Sequence, residues 1–399
     1  MRKKFFLVSQ VFYPDEVSTA SLFTDLCIVL AKDDYEIEVW CAQPSYTTTK
    51  RQPGRVKYKE VNISYLFGTN FSKDNLLGRL VNYITFSFSL FLKLLFSKEK
   101  CSIFTVTNPP ILGALVMAAC YLRKRKFIYI ILDVYPDGLI RVGKMSEKNL
   151  VSIIWKKINR LILEKAEKII VLGRDMLDWV MITNSNVRDR IQYIPHWQNE
   201  DIFHYIPYNE NPFVIEHNIH DKFVVQYSGN MGMWHDMQIF ARASKNLEND
   251  GVTFFFIGDG IRRKELFREW NDKVPSNTEV LPYQPKEKIG ESIAGCHVAL
   301  ISLREGLQGM AVPCKIYGIL AAGIPVIAMV PENSEIGLII REENCGFVIS
   351  PNDLDGLINA ILKLKSDEKL RTAMGKNGRK AFEQKYLTRI IAEKYKSLI

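Results

Sequence analysis

The sequence predicts an α/β protein built from two successive doubly wound, Rossmann-like units. Three observations predict it. First, short unbroken apolar runs such as Phe127–Leu132 have the composition of strands buried on both faces of a parallel sheet. Second, these runs alternate with helix-length segments, the pattern of βα repeats. Third, the alternation starts afresh at Lys222 after an aperiodic stretch holding Pro207 and Pro212. A chain of 399 residues is also too long for one ordinary core. The expected organisation is a first unit over 1–200, a linker over 201–221, and a second unit over 222–399 with a helical tail.

In the first unit, Lys4–Ser9 reads as a buried strand and Ser18–Lys32 as a helix, with Leu22, Leu26, Val29 and Leu30 on one face. The intervening loop lacks GxGxxG, which argues against a dinucleotide-dependent dehydrogenase. Asp15 or Ser18 suits a helix cap there. Glu36–Ala42 and Val61–Phe67 read as strands, separated by an irregular basic stretch ending at Lys59. Leu76–Phe96 is a long apolar helix. Its uncharged run, Leu80–Leu92, is shorter than the ~20 residues a bilayer span needs, so the expectation is a buried or interfacial helix. Ser102–Pro110 ends in Asn-Pro-Pro, which stops a strand. Phe127–Leu132 ends in Asp133-Val134-Tyr135-Pro136-Asp137. A helix over Leu150–Glu164 and strands at Lys168–Gly173 and Arg190–Pro195 follow. Ligands of open parallel sheets bind beyond the carboxyl ends of strands, which makes Asp133 a candidate functional residue. Asp137 also suits a plain turn.

The second unit opens with Lys222–Asn230, a glycine loop and a helix, then Val252–Gly260, Asn277–Pro285 and His297–Leu303. The stretch Leu303–Val330 (LREGLQGMAVPCKIYGILAAGIPVIAMV) is the one the unit is organised around. Gly306 and Gly309 let the loop backbone approach a ligand closely. Pro313 suits the first helical position, which puts Lys315 in the first turn beside free N–H groups. A helix N-terminus with an ammonium group is an anion site, and phosphate is the usual anion.

The string VPCKIYGILAAGIPVIA resembles the nucleotide-sugar motif of the family-4 retaining glycosyltransferases, and within them the bacterial polysaccharide branch. SGNMGMWHD, IGDGIRRKEL and the GKNGR tail match in the same order, so the resemblance covers nearly the whole chain. It implies the GT-B fold, two Rossmann-like domains facing across a cleft. It also implies a UDP- or GDP-sugar donor, no bound cofactor and no metal. Lys315 would neutralise the leaving diphosphate, and Asp133 would line the acceptor side. Gly229, Asn230, Gly232, Gly309, Met310, Pro313 and Tyr317 would frame the donor, with Tyr283 and Gln284 at the base and Glu305 at a donor hydroxyl. Asp15, Glu16 and Asp137 would lie on the acceptor side. The chain departs from the family at Gly318 and Met310, where the family pattern places two glutamates, and at Cys314, where the branch has serine. Asn230 and His235 stand where many members have arginine and lysine, which leaves more of the diphosphate charge to Lys315.

Composition narrows the rest. Residues 1–200 hold 29 Lys+Arg and 19 Asp+Glu, whereas 201–399 hold 24 and 25, so the basic surplus lies in the first unit. The scattered seven cysteines form no CxxC pair and suggest a reducing compartment. No signal peptide or nucleic-acid reader motif is recognisable. The expected activity is transfer of a sugar from a nucleotide-diphosphate sugar to a polysaccharide-repeat or lipid-linked acceptor. The rival expectations are a nucleotide-sugar 2-epimerase and a non-catalytic sugar-nucleotide-binding scaffold. The surplus charge, the run Arg123–Lys126 and the apolar helix predict a cytoplasmic protein peripheral on the inner face of an anionic plasma membrane.

Overall fold

The computed structural model describes residues 3–46, 50–71 and 76–399. By contact, one unit comprises 1–196, 309–311 and 388–399, and the other comprises 197–308 and 312–387.

The first unit runs β1 (Lys4–Val8), α1 (Ser18–Lys32), β2 (Glu36–Cys41), β3 (Arg55–Tyr58), β4 (Val61–Tyr65), α2 (Leu76–Phe96), β5 (Ile103–Val106), α3 (Leu112–Leu122), β6 (Phe127–Ile131), α4 (Asp137–Arg141), α5 (Leu150–Lys165), β7 (Lys168–Val171), α6 (Arg174–Thr183) and β8 (Ile191–Tyr193). Its sheet has the order β3-β4-β2-β1-β5-β6-β7-β8. Every pairing is parallel except β3 with β4. The strand order places α2, α3 and α5 on one face and α1 on the other, because parallel crossovers are right-handed. Aromatic packing holds the centre, with Phe5 on Phe104 at 4.5 Å and Phe6 edge-on to Trp40 at 4.8 Å.

β3 falls in the stretch expected to be irregular. It pairs with β4 through a two-residue turn in which Lys59 and Glu60 both take positive φ, 44° and 68°. That turn normally announces itself by Asn-Gly or Asp-Gly, and Lys-Glu gives no such signal.

The second unit runs α7 (Pro212–Glu216), β9 (Phe223–Ser228), α8 (Gln238–Asn246), β10 (Val252–Ile257), α9 (Arg263–Glu269), β11 (Thr278–Leu281), α10 (Ile289–Ala294), β12 (Val298–Ser302), α11 (Lys315–Ala322), β13 (Val326–Met329), α12 (Glu335–Glu343), β14 (Gly346–Ile349), α13 (Leu354–Ser366) and α14 (Glu368–Lys385). The sheet is all parallel in the order β11-β10-β9-β12-β13-β14. Its core includes Phe254, Phe256, Leu357 and Ile361, with Trp270 donating its indole N–H to Ala241 O at 3.0 Å.

Two boundaries differ from expectation. Residues 201–221 are not a free linker but part of the second unit. Phe213 and Val214 are buried in the second unit, and Asn211 Nδ2 donates to Glu291 O at 2.9 Å. The tail leaves the second unit as well: α15 (Thr388–Lys396) packs on α1 of the first, with Lys396 paired to Asp33 at 2.7 Å. Tyr395 is fully buried there, edge-on to Phe5. Neither contact is local in sequence, so periodicity does not report it.

Candidate active site

In the second sheet the strand order reverses between β9 and β12, the point at which open α/β sheets bind ligands beyond the carboxyl ends of their strands. The chain leaving β9 enters the loop at Gly229, and the chain leaving β12 leads to α11. Gly229 has φ +120°, and a Cβ there would lie 3.4 Å from Lys315 Nζ. Next to it, Gly258 after β10 has φ +123°, and a Cβ would stand 2.2 Å from Gly229 O. Both positions therefore require glycine, for backbone conformation and for close approach. Gly229 N donates to Ile257 O at 2.9 Å and Met231 N to Asp259 O at 2.8 Å, which fixes the loop before any ligand arrives.

Lys315 is the first residue of α11, which starts two residues later than a proline-led start would give. Cys314 is the N-cap and Pro313 stands outside the helix, which corrects the expected Pro313 position. The Lys315 ammonium is buried with no hydrogen-bond partner among the described residues, and it lies 3.6 Å from the centroid of the Tyr227 ring. Burial lowers its pKa to about 7, with Cys314 acting weakly in the opposite sense. A buried, unpaired ammonium beside the N-terminus of a helix is costly unless an anion completes it. His235 does not share this charge. Burial, and next the Lys315 charge, lower its pKa to about 3, and Nδ1 lies 2.6 Å from Ser302 O.

Gln226 and Tyr227 belong to this site and were not singled out from sequence. Gln226 is buried with its side-chain oxygen unpartnered, and with Ser228 and Lys315 it lines a cavity of about 10 Å³. Tyr227 donates from its hydroxyl to Asn230 O at 2.8 Å while its ring faces the ammonium. The available signal was a glutamine and a tyrosine closing an otherwise apolar strand.

The other donor-side residues divide. Asn230 is exposed on the loop after β9, and Gly232 lies against its side chain. Tyr283 is exposed, its hydroxyl donating to Asp259 O at 3.0 Å; Gln284 next to it is half-buried, and Glu305, beyond β12, is exposed. Three residues are spent elsewhere. Tyr317 is fully buried, edge-on to Tyr386 at 4.9 Å, so it is a core residue and not a donor contact. Gly309 and Met310 are buried and belong by contact to the first unit: Gly309 N donates to Asp175 Oδ2 at 2.9 Å, and Met310 O accepts from Val134 N at 2.8 Å.

Gly318, where the family pattern has a glutamate, is buried under Phe203, with a Cβ meeting two ring atoms at 3.0 Å. Phe203 and Ile293 occupy the room a longer side chain would need. The Gly318→Glu variant should therefore not restore a family feature. Crowding the ring and burying an unpaired carboxylate should destabilise the protein by about 3–5 kcal/mol, checked as a fall in urea midpoint.

In the first unit, Asp133 follows β6 and is half-buried. Its N–H donates to Thr107 Oγ1 at 3.2 Å, and desolvation raises the pKa of its carboxyl to about 6. It lies in a small cavity with Tyr129, Tyr135, Trp155, Asn159 and Trp179. Tyr135 and Trp155 are stacked with centroids 6.3 Å apart. The structure does not gather the other acceptor-side candidates at this point. Asp137 begins α4 and pairs with Lys156 at 3.3 Å. Asp15 is buried and accepts from Tyr46 N at 2.7 Å and Ser45 N at 3.2 Å, so it organises that loop and does not cap α1, whose N-cap is Val17. Glu16 is exposed next to it.

Comparison with known proteins identifies the fold. Residues 210–381 match the model of the family described as glycosyl transferases group 1. Over 332 residues the chain is 26% identical to a probable glycosyltransferase, WbjE, of Pseudomonas aeruginosa, covering 82% of each chain. Sucrose-phosphate synthase of Thermosynechococcus elongatus superposes with a TM-score of 0.75 at 16% identity, covering 100% of this chain and 98% of that one. WaaG, a glycosyltransferase of lipopolysaccharide biosynthesis, gives 0.73 at 15% identity over 99% of both chains. The fold is GT-B. Anabaena HepE, whose structure holds UDP-glucose, superposes with a TM-score of 0.72 at 14% identity over 99% of this chain and 98% of that one. The GT-B frame accounts for the paired parallel sheets and the family match for the second of them.

Proposed function

We propose that this GT-B protein is a retaining glycosyltransferase that uses a nucleotide-diphosphate sugar and builds a bacterial polysaccharide or lipid-linked glycan. The observation that carries the reading is Lys315, a buried ammonium without a partner, at the start of α11 and over the glycine loop that follows β9. Breaking the bond between the anomeric carbon and the diphosphate oxygen leaves the electron pair on the diphosphate. Fixed positive charge in a dry site stabilises that leaving group, and Lys315 with the loop N–H groups supplies it. Tyr283, exposed, and Gln284, half-buried, follow β11 and are assigned to the base, and Glu305 after β12 to a sugar hydroxyl. Asp133, in its aromatic-lined cavity, is assigned to the acceptor hydroxyl. Among the described residues no group of three or more His, Cys, Asp and Glu side chains has metal-ligand spacing. The diphosphate is assigned to Lys315 and backbone N–H groups alone, and activity is expected to persist in EDTA.

The test is mass spectrometry and NMR of the purified full chain with a panel of UDP- and GDP-sugars. Saturable binding of one donor, slow donor hydrolysis, and a glycoside product with the anomeric configuration of the donor are expected. An inverted product would remove the retaining assignment. Interconversion of two nucleotide sugars without any acceptor would instead favour the epimerase, and binding without turnover the scaffold.

A further inference from the structure

Helix α2 is amphipathic in a way its own unit does not use. Phe86, Leu90 and Leu94 are buried inside the first unit. The opposite side carries Leu77, Leu80, Ile84, Phe88, Leu92 and Phe96, a stripe at steps of three and four residues that runs the whole helix. The stripe is exposed: Leu77 is 71% accessible, Ile84 and Phe88 58% each, and Phe96 81%. A single exposed leucine needs no explanation, but a continuous apolar ridge on a 21-residue helix does.

The flanking surface shows what the ridge fits. α2 packs on α3 and α3 on α5, so the three form one helical layer on one face of the sheet. Their sequences, with the Arg123–Lys126 loop, hold ten lysines and arginines and one acid, Glu164. Lys126, Lys156 and Arg160 have acidic partners, at 2.5, 2.7 and 3.3 Å, while Arg79, Arg123, Lys124 and Lys157 are exposed. The layer continues the ridge with exposed apolar side chains, Tyr121 and Leu122 on α3 and Leu150 and Ile154 on α5. An apolar stripe bordered by positive charge and nearly devoid of acids is complementary to an anionic bilayer, with the apolar groups among the acyl chains and the cations at phosphate level.

Leu77–Phe96 is long and apolar enough to cross a membrane by length and composition. Its inner face, however, is part of the folded core, with Leu90 and Leu94 fully buried, and extraction into lipid would open that core. We infer that α2, with the α3 and α5 surface beside it, lies in the plane of an anionic lipid surface and docks the first unit there without spanning it. The inference is independent of the donor site in the second unit.

Vesicle flotation of the full chain, using phosphatidylcholine with and without phosphatidylglycerol, tests it. Binding should require the anionic lipid and weaken about tenfold or more as salt is raised through the screening range. Ile84→Glu/Phe88→Glu should abolish it, and Arg123→Glu/Lys124→Glu should reduce it about tenfold. Both variants should retain the wild-type melting temperature and nucleotide binding, because these side chains contact neither core nor donor site. Equal binding to neutral and anionic vesicles, no binding at low salt, or wild-type binding by the α2 double variant would overturn the inference. So would resistance of the wild type to alkaline carbonate extraction, the mark of a spanning helix. A wild-type dimer that the α2 double variant converts to monomer, with no vesicle binding, would overturn it in favour of a second copy.

Discussion

Lys315→Ala should weaken nucleoside diphosphate binding by about 1.5–3 kcal/mol, roughly ten- to a hundredfold, measured by calorimetry. Charge-assisted contacts to phosphate are worth this much where no other fixed cation shares the load, and His235 is held neutral at the same site. The titration of Lys315 adds a signature that simple loss of packing would not give. With its pKa lowered to about 7, the unliganded side chain is largely neutral at pH 8. A bound diphosphate favours the ammonium, so binding at pH 8 should take up close to one proton, and little at pH 6. Calorimetry in buffers of different ionisation enthalpy reads that number directly. The same shift predicts stability without ligand. The unfolded chain keeps the ordinary lysine value of 10.5, so between about 7 and 10.5 it binds more protons than the folded chain. Stability from this group therefore rises with pH across that window, and Lys315→Met should be free of the cost below it. Unchanged affinity and no proton uptake in the wild type would remove the residue from the donor site.

Asp133→Asn should slow transfer by about a hundredfold or more while leaving nucleotide affinity within about twofold, as expected of a group acting on the acceptor proton. Steady-state kinetics at saturating donor, with separate binding measurements, distinguishes the two. Burial raises the carboxyl to about 6, so the wild-type rate should climb as pH rises through that value, and the asparagine variant should lack the step. Stability should move the other way. Between the ordinary 3.8 and about 6 the folded state binds more protons than the unfolded, so this group costs stability as pH rises through that window. The variant should be at least as stable as the wild type at neutral pH, yet slow. Lost donor binding with a preserved saturated rate would place Asp133 on the wrong substrate.

Features encoded by neighbours along the chain are legible before any fold is known. The bounds of α1 at Ser18–Lys32 and of α2 at Leu76–Phe96 followed from apolar periodicity and from the charges at their ends, and the buried strands followed from unbroken runs. That Lys315 lies at a helix start was legible from the proline before it, whereas Gly229 was named only by the resemblance and its positive φ is a finding of the structure.

The remaining features depend on packing between segments distant in the chain. Whether a tyrosine two residues after Lys315 meets a ligand or the core depends on what covers it, and for Tyr317 that is Tyr386. In sequence Asp15 suits a helix cap or an acceptor contact; in the fold it accepts the N–H groups of Ser45 and Tyr46. Gly318 gains its meaning from Phe203, more than a hundred residues away, and α15 gains its partner α1 from the other end of the chain. The lowered pKa of Lys315 and the raised one of Asp133 have the same origin. Both are products of desolvation, and desolvation is set by the atoms that fold around a side chain, not by its neighbours in sequence.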